Sequence, residues 1–189
     1  KKLETHPTLR AYLRANKPMT PEKNLLAVDF GTSGMKVALI SASGKVLGWE
    51  CEPVRLILTP DGGAEQSPDE WWQALLSAAG RLLRDMPEAA ANVIAVCCST
   101  QGEGTVAVDR DGNALGNAIL WMDMRGAPFL RQQLQGWPNM DGASVFKVLR
   151  FVSITGGMPS MTGKDPAAHM LLIRDTQPEL YERTYKFLN

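Results

Sequence analysis

The chain has 189 residues, 44% of them hydrophobic and 21% charged, which is the composition of an ordinary globular protein. Lys plus Arg and Asp plus Glu number 20 each, so the composition excludes a strongly basic surface and gives no support for nucleic-acid binding. No apolar stretch approaches the length of a membrane span, so no membrane association is expected.

The cysteines and histidines predict neither a disulfide framework nor a metal centre. Cys51, Cys97 and Cys98 are odd in number and two are adjacent in an apolar run, so we expect buried thiols in a reducing cytoplasm. His6 and His169 have too few potential ligands near them for a metal site, and structural roles are expected for both.

Residues 1–23 predict a loosely attached N-terminal arm with a short helix between Pro7 and Pro18. The arm lacks the apolar core of a secretory signal, which agrees with a cytoplasmic location. Because regular hydrophobic patterns begin at residue 24, we expect one domain over residues 24–189.

Within that domain, turn residues and apolar periodicity predict a mixed sheet flanked by helices. The predicted strands are 25–30, 35–41, 45–52, 93–98 (a buried strand), 105–109 and 118–121. The predicted helices are 68–84, 125–135, 166–176 and 178–188, with looser structure from 138 to 165. The apolar face predicted for the first helix comprises Trp72, Leu75, Leu76, Ala79, Leu82 and Leu83.

The segment Asp29–Lys36, which follows the first apolar run, is the most informative in the chain. Two glycines enclose Thr-Ser, so a turn rich in N–H and O–H groups follows a carboxylate at a strand end. Such a turn can bind phosphate oxygens, and Asp29 can hold through water the Mg²⁺ that accompanies a nucleotide. The alternative is an ordinary Gly-rich hairpin with a solvated Asp. The candidate phosphate-binding residues are Gly31, Thr32, Ser33 and Lys36.

A second candidate element, Gln101-Gly102-Glu103-Gly104, follows the predicted strand 93–98. Ligands of open α/β sheets bind at the carboxyl ends of strands, and glycines let the backbone approach a small ligand. Gln101 and Glu103 offer hydrogen-bond donors and acceptors. The alternative is a polar loop that binds nothing.

The third element places Trp121, Asp123 and Arg125 at alternate positions, and therefore on one face if the segment is extended. An apolar ring beside fixed polar groups suits a sugar, which has C–H faces and hydroxyl edges. The alternative is a core Trp next to a surface Asp–Arg pair.

Taken in order, these elements resemble the N-terminal part of the FGGY family of carbohydrate kinases, xylulose kinases above all. The resemblance covers residues 24–189 and includes Glu65–Trp72 and the run from Ile154 to Phe187. It implies an α/β, ribonuclease-H-like fold, that of the superfamily of actin, the heat-shock chaperone ATPases and the sugar kinases, here as an incomplete first domain.

The same resemblance implies phosphorylation of a small sugar or polyol with ATP and Mg²⁺, with a ketopentose such as xylulose as the first candidate. Asp29 would take the Mg²⁺–phosphate role and the adjacent turn would line the phosphates. Gln101 and Glu103 would contact the sugar, while Asp123 and Arg125 complete or brace the pocket. The family's catalytic Asp and adenine pocket lie beyond residue 189, so residues 1–189 alone are expected to be inactive.

The resemblance leaves the substrate open. Xylulose kinases typically have Met-His and glycerol kinases Arg-Glu where this chain has Gly102-Glu103. Two further alternatives are another phosphotransferase or phosphohydrolase of the superfamily and a non-catalytic sugar- or protein-binding module. A homodimer is compatible with all of these interpretations.

Overall fold

The computed structural model describes residues 22–189, so nearly all of the predicted arm lies outside the described residues. No helix within this range is both long and apolar enough to cross a bilayer. In chain order the elements are β1 (Asn24–Gly31), β2 (Gly34–Ser41), β3 (Val46–Pro53), β4 (Ile57–Leu58), β5 (Ala64–Gln66), α1 (Pro68–Asp85), α2 (Pro87–Ala90), β6 (Val93–Thr100), β7 (Val106–Val108), β8 (Ala118–Ile119), α3 (Ala127–Leu134), β9 (Asn139–Met140), β10 (Ala143–Ser144), α4 (Val145–Thr155), α5 (Pro166–Thr176), α6 (Pro178–Arg183) and β11 (Lys186–Leu188).

The central sheet has the strand order β3-β2-β1-β6 and is mixed, as predicted. β1, β2 and β3 form an antiparallel meander, and β6 runs parallel to β1. Alternate residues of β1 and β2, such as Val28 and Leu39, are buried against α1. The parallel pairing of β6 with β1 brings the β1–β2 turn and the end of β6 to the same edge of the sheet.

Local signals explain where α1 begins. The Ser67 hydroxyl caps the helix by accepting a hydrogen bond from the Glu70 amide (3.4 Å), and a proline occupies the first turn. The buried side of the helix is formed by Ala74, Ala78 and Leu82. The predicted apolar face was therefore partly wrong, because Trp72 and Leu76 are 57% and 50% exposed.

The strand β6 is not buried, contrary to the prediction. Seven of its eight residues are exposed, including both cysteines, and Cys51 is exposed as well, so the prediction of buried thiols was wrong. The reason is that α1 packs over β2 and β3, and nothing among residues 22–189 pairs with the outer edge of β6. Parallel strands are normally covered on both faces, which is why an apolar sequence predicted burial.

The space beside α1, next to β6, is a cavity of about 860 Å³. Trp72, Thr100 and Val106 are among the residues that line it, and Asp29, Thr32 and Trp121 are not. Gln101 and Gly104 also line it, so the cavity adjoins the second predicted element but not the β1–β2 turn or Trp121.

Two stretches in the second half of the chain also differ from prediction. Residues 138–157 contain the β9–β10 hairpin and the helix α4, which ends at Gly156 in the left-handed region (φ 77°). The helix was missed because it is rich in β-branched and aromatic residues, which have low helix propensity. The helix predicted over 178–188 ends at Arg183, because β11 pairs instead with β7 in an antiparallel ladder.

Candidate functional site

Asp29 lies at the carboxyl end of β1 and is held by the two neighbouring strands. Its Oδ2 accepts a hydrogen bond from Lys36 Nζ (2.9 Å), and its Oδ1 accepts one from Ser99 Oγ (3.0 Å). These two hydrogen bonds, Lys36 first, lower the pKa of Asp29, so its carboxylate is ionised at neutral pH. The side chain is 43% exposed and therefore accessible to a ligand.

The turn after Asp29 fits a hydrated metal ion and phosphate oxygens. A Cβ atom at Gly31 would lie 3.1 Å from Lys36 Nζ and 3.5 Å from Asp29 Oδ2, so glycine keeps the space between the two charges open. Among residues 22–189, no three His, Cys, Asp or Glu side chains form a metal-binding cluster.

Side-chain hydrogen bonds bring the three predicted elements together at this edge. Thr32 Oγ1 in the turn donates to Gln101 Oε1 (2.7 Å), and Trp121 Nε1 donates to Thr32 Oγ1 (3.1 Å). The backbone N–H of Gln101 also donates to the carbonyl of Phe30 (2.9 Å), and this hydrogen bond anchors the loop after β6 to the end of β1. The turn, the loop after β6 and the Trp121 segment therefore form one continuous surface.

A fourth participant, Gln66, was not among the predicted site residues. It is fully buried at the end of β5, where its Nε2 donates to the carbonyl of Thr32 (2.8 Å). Its Oε1 accepts from Trp71 Nε1 (3.1 Å) and from Gln101 Nε2 (3.2 Å). The sequence signal available was its position in Glu65–Trp72, a segment that contributes to the family resemblance.

The loop after β6 presents Glu103 to solvent in an unusual conformation. Its φ is 61°, in the left-handed region that residues other than glycine seldom adopt, at a cost of order 1–2 kcal/mol. A Cβ at Gly102 would meet nothing within 4 Å, so the space around the loop is open. Strain of this kind is common at ligand sites, so it marks the Glu103 carboxylate as a candidate ligand-binding group.

The segment from Trp121 to Arg125 is a series of turns rather than a strand, so the extended conformation that would place its alternate residues on one face is not formed. Trp121 is 40% exposed and lies against the β1–β2 turn, with Lys164 Nζ 5.6 Å from its ring centroid. A hydrogen bond at one end and a cation over its face fix the ring.

Asp123 points the opposite way and is completely buried. Its carboxylate accepts from the backbone amides of Ala64 (3.0 Å) and Arg125 (2.9 Å) and from Arg125 Nη2 (2.7 Å). Burial alone would lower the pKa of Arg125, but hydrogen bonds to Asp123 and Glu65 outweigh it and raise that pKa. The Asp–Arg pair thus braces the turn and leaves no carboxylate oxygen facing the surface.

His169 supports the same turn from α5. Burial lowers its pKa, so the ring is neutral, and its Nε2 donates to the carbonyl of Asp123 (3.4 Å). Because a carbonyl can only accept, Nδ1 carries no proton and accepts from Thr105 Oγ1 (3.0 Å). The structural role predicted for His169 is confirmed.

Residues 24–188 match the model of a protein family described as the FGGY family of carbohydrate kinases, N-terminal domain. The chain belongs to the FGGY family of carbohydrate kinases. The family predicted from the order of the motifs is therefore confirmed.

The chain is also similar to individual sugar and glycerol kinases. The chain is 28% identical over 167 residues to the xylulose kinase of Bacillus subtilis strain 168, covering 88% of this chain and 31% of the relative. Its fold is similar to that of a xyloylose kinase from Brucella ovis (TM-score 0.75, 22% identity, 87% of this chain and 31% of that one). A glycerol kinase from Plasmodium falciparum, solved with ADP, has a TM-score of 0.69 at 19% identity (89% and 32% covered).

These likenesses confirm the predicted fold class, since the solved sugar kinases have the ribonuclease-H-like fold and the chain has the predicted mixed sheet flanked by helices. The chain spans 31% to 32% of the length of the three FGGY kinases. The activity of the whole polypeptide is therefore a separate question.

Proposed function

We propose that the kinase polypeptide containing this chain transfers the terminal phosphoryl group of Mg-ATP to a hydroxyl of a small sugar or polyol. A ketopentose such as xylulose is the first candidate, because the Bacillus relative is named a xylulose kinase. A polyol is the second candidate, because one structure with a similar fold is named a glycerol kinase. The observation that carries the proposal is the hydrogen bonding of Thr32 to both Gln101 and Trp121. It joins the phosphate turn (residues 31–34) to the acceptor loop (residues 101–104), as we name these two segments.

On the nucleotide side, Asp29 would hold Mg²⁺ through water, and the backbone amides of Gly31, Thr32 and Ser33 would line the phosphates. Lys36 places an ammonium group beside the same space and adds positive charge for the phosphates. Mg²⁺, when bound, neutralises charge that develops on the phosphoryl oxygens.

On the acceptor side, the exposed Glu103 carboxylate and the second Nε2 hydrogen of Gln101 would bind hydroxyl groups. Gly102, which has no side chain, leaves room for the sugar. The half-exposed indole of Trp121 offers an apolar surface to the C–H face of a sugar ring or chain. Asp123 and Arg125 act as the brace that fixes this surface, since the Asp123 carboxylate is fully occupied by internal donors.

A screen for acceptor-dependent ADP release tests the proposal. The full-length kinase is assayed with Mg-ATP against pentuloses, hexuloses and polyols, and turnover above the ATPase background is expected with at least one. Residues 1–189 alone serve as the control and are expected to be silent, because phosphoryl transfer requires both substrates held in line and a group that receives the acceptor proton. No acceptor-dependent release from the full-length protein would contradict the proposal.

Glu103→Gln is expected to raise the KM for the acceptor roughly tenfold, because a charged acceptor of hydroxyl hydrogens is lost at a cost of ~1–3 kcal/mol. The KM for ATP should stay the same. Glu103→Gly removes the carboxylate and also relieves the strain at φ 61°, so it should raise the acceptor KM while stabilising the fold. Glu182→Gln, at an exposed position on α6, is the matched control. An effect confined to the ATP KM would place Glu103 on the wrong side of the site.

A further inference from the structure

Gln66 occupies a position where only a primary amide satisfies all of its neighbours. It is fully buried, and its three hydrogen-bond partners are the Thr32 carbonyl, the Trp71 indole and the Gln101 side chain. A carboxylate could not donate to the Thr32 carbonyl, and an ammonium group could not accept from Trp71. The side chain therefore has one allowed orientation, with Nε2 toward Thr32 and Oε1 toward Trp71.

This orientation sets the direction of the next hydrogen bonds. Because Gln66 Oε1 can only accept, Gln101 must turn its Nε2 toward it and its Oε1 toward Thr32. The Thr32 hydroxyl then gives its only hydrogen to Gln101 and accepts from Trp121 Nε1, which can only donate. A buried amide on β5 thus determines where the Thr32 hydroxyl hydrogen points, two hydrogen bonds away.

We propose that Gln66 is a positioning residue that couples the phosphate turn to the acceptor loop by fixing the direction of this hydrogen-bond chain. The inference rests on the proposed function for its kinetic consequences, but its structural content does not. It also assigns a role to Thr32. Since the Thr32 hydroxyl hydrogen is donated to Gln101, Thr32 would bind phosphate through its backbone N–H. The exposed Ser33 would supply the hydroxyl donor.

Gln66→Met tests the proposal, because methionine has a similar length and shape but cannot form any of the three hydrogen bonds. In the full-length kinase, with both KM values measured below the thermal midpoint, we expect roughly a tenfold lower kcat and a tenfold higher acceptor KM, the scale of one or two buried hydrogen bonds. Gln73→Met, the same change at an exposed site on α1, is expected to leave both constants unchanged. Gln66→His, which keeps one donor and one acceptor, should recover part of the loss.

A spectroscopic readout tests the coupling without relying on activity. The indole N–H resonance of Trp121 in a ¹⁵N-labelled sample should shift in Gln66→Met, because the two side chains are linked through the hydrogen bonds of Gln101 and Thr32. The exposed Trp49 indole provides an internal reference. If Gln66→Met does not fold, Gln101→Met breaks the same chain at a partly exposed residue and must produce the shift.

The outcomes separate the two proposals. An unshifted Trp121 resonance in the folded variant overturns the inference, whatever the kinetics. A shifted resonance with unchanged kcat and KM values overturns the positioning role. If the wild-type kinase phosphorylates no sugar or polyol, the proposed function fails, while the Trp121 resonance still decides whether Gln66 controls the hydrogen-bond chain.

Discussion

Asp29→Ala should lower the kcat of the full-length kinase at least ~100-fold, because it removes the carboxylate that would position Mg²⁺ and the phosphates. The KM for the sugar should change little, since the acceptor loop is held by Gln101 and Gln66 rather than by Asp29. Steady-state kinetics with both substrates varied provides the measurement.

The fold should survive this substitution, which separates catalysis from stability. Asp29 and Lys36 form an ion pair in which the side chains are 43% and 53% exposed, and such pairs contribute at most about 1 kcal/mol. Thermal unfolding of Asp29→Ala should therefore stay close to that of the wild type. Asp111→Ala, in an exposed turn, is the control and should leave kcat unchanged. If sugar binding collapsed while turnover at saturating sugar survived, the role assigned to Asp29 would be wrong.

Asp123→Ala is expected to destabilise the protein by up to roughly 3–5 kcal/mol, because it removes the fully buried carboxylate from the Arg125 guanidinium, which keeps only the more exposed Glu65 as a close counter-charge. The amide of Ala64 also loses its acceptor, at a further cost of about 1–3 kcal/mol if it stays unpaired. A large drop in the denaturant midpoint of the full-length kinase is the expected result.

Two further variants isolate the cause. Asp175→Ala breaks an ion pair with Arg174 at the surface, where the side chains are 31% and 43% exposed, and it should cost less than about 1 kcal/mol. Asp123→Leu combined with Arg125→Met removes both charges of the pair and should recover part of the loss. A denaturant midpoint equal to that of the wild type in Asp123→Ala would refute the bracing role.

The β1–β2 hairpin and the start of α1 were predictable because their signals are local. Gly34 allows the close approach of β3, since a Cβ atom there would lie 2.7 Å from the Glu52 carbonyl oxygen, and the Ser67 cap with its following proline specifies the helix start. The turn at Asp123 was not predictable, because alternation along a sequence assigns faces only to an extended segment. Its conformation depends on Ala64, which is 59 residues away in the chain.

Distant partners explain the other misses as well. Hydrophobicity predicts that β6 will be buried, but burial needs a covering element, and α1 lies over the neighbouring strands. The end of the chain carries a helical pattern, but pairing with β7 holds Lys186–Leu188 as a strand. Gln66 was missed for the same reason, since a single polar residue before a helix cap does not reveal three partners from separate segments.

The uncovered strand β6 places two reactive groups side by side with different surroundings. Cys97 is paired in register with Ala27 and Cys98 with Val28, so the two thiols project from opposite faces of the sheet. Both are exposed. The alkylation rate of each thiol therefore depends on how well its own face of the central sheet is covered. Measured separately, the two rates would compare the coverage of the two faces in any given form of the kinase.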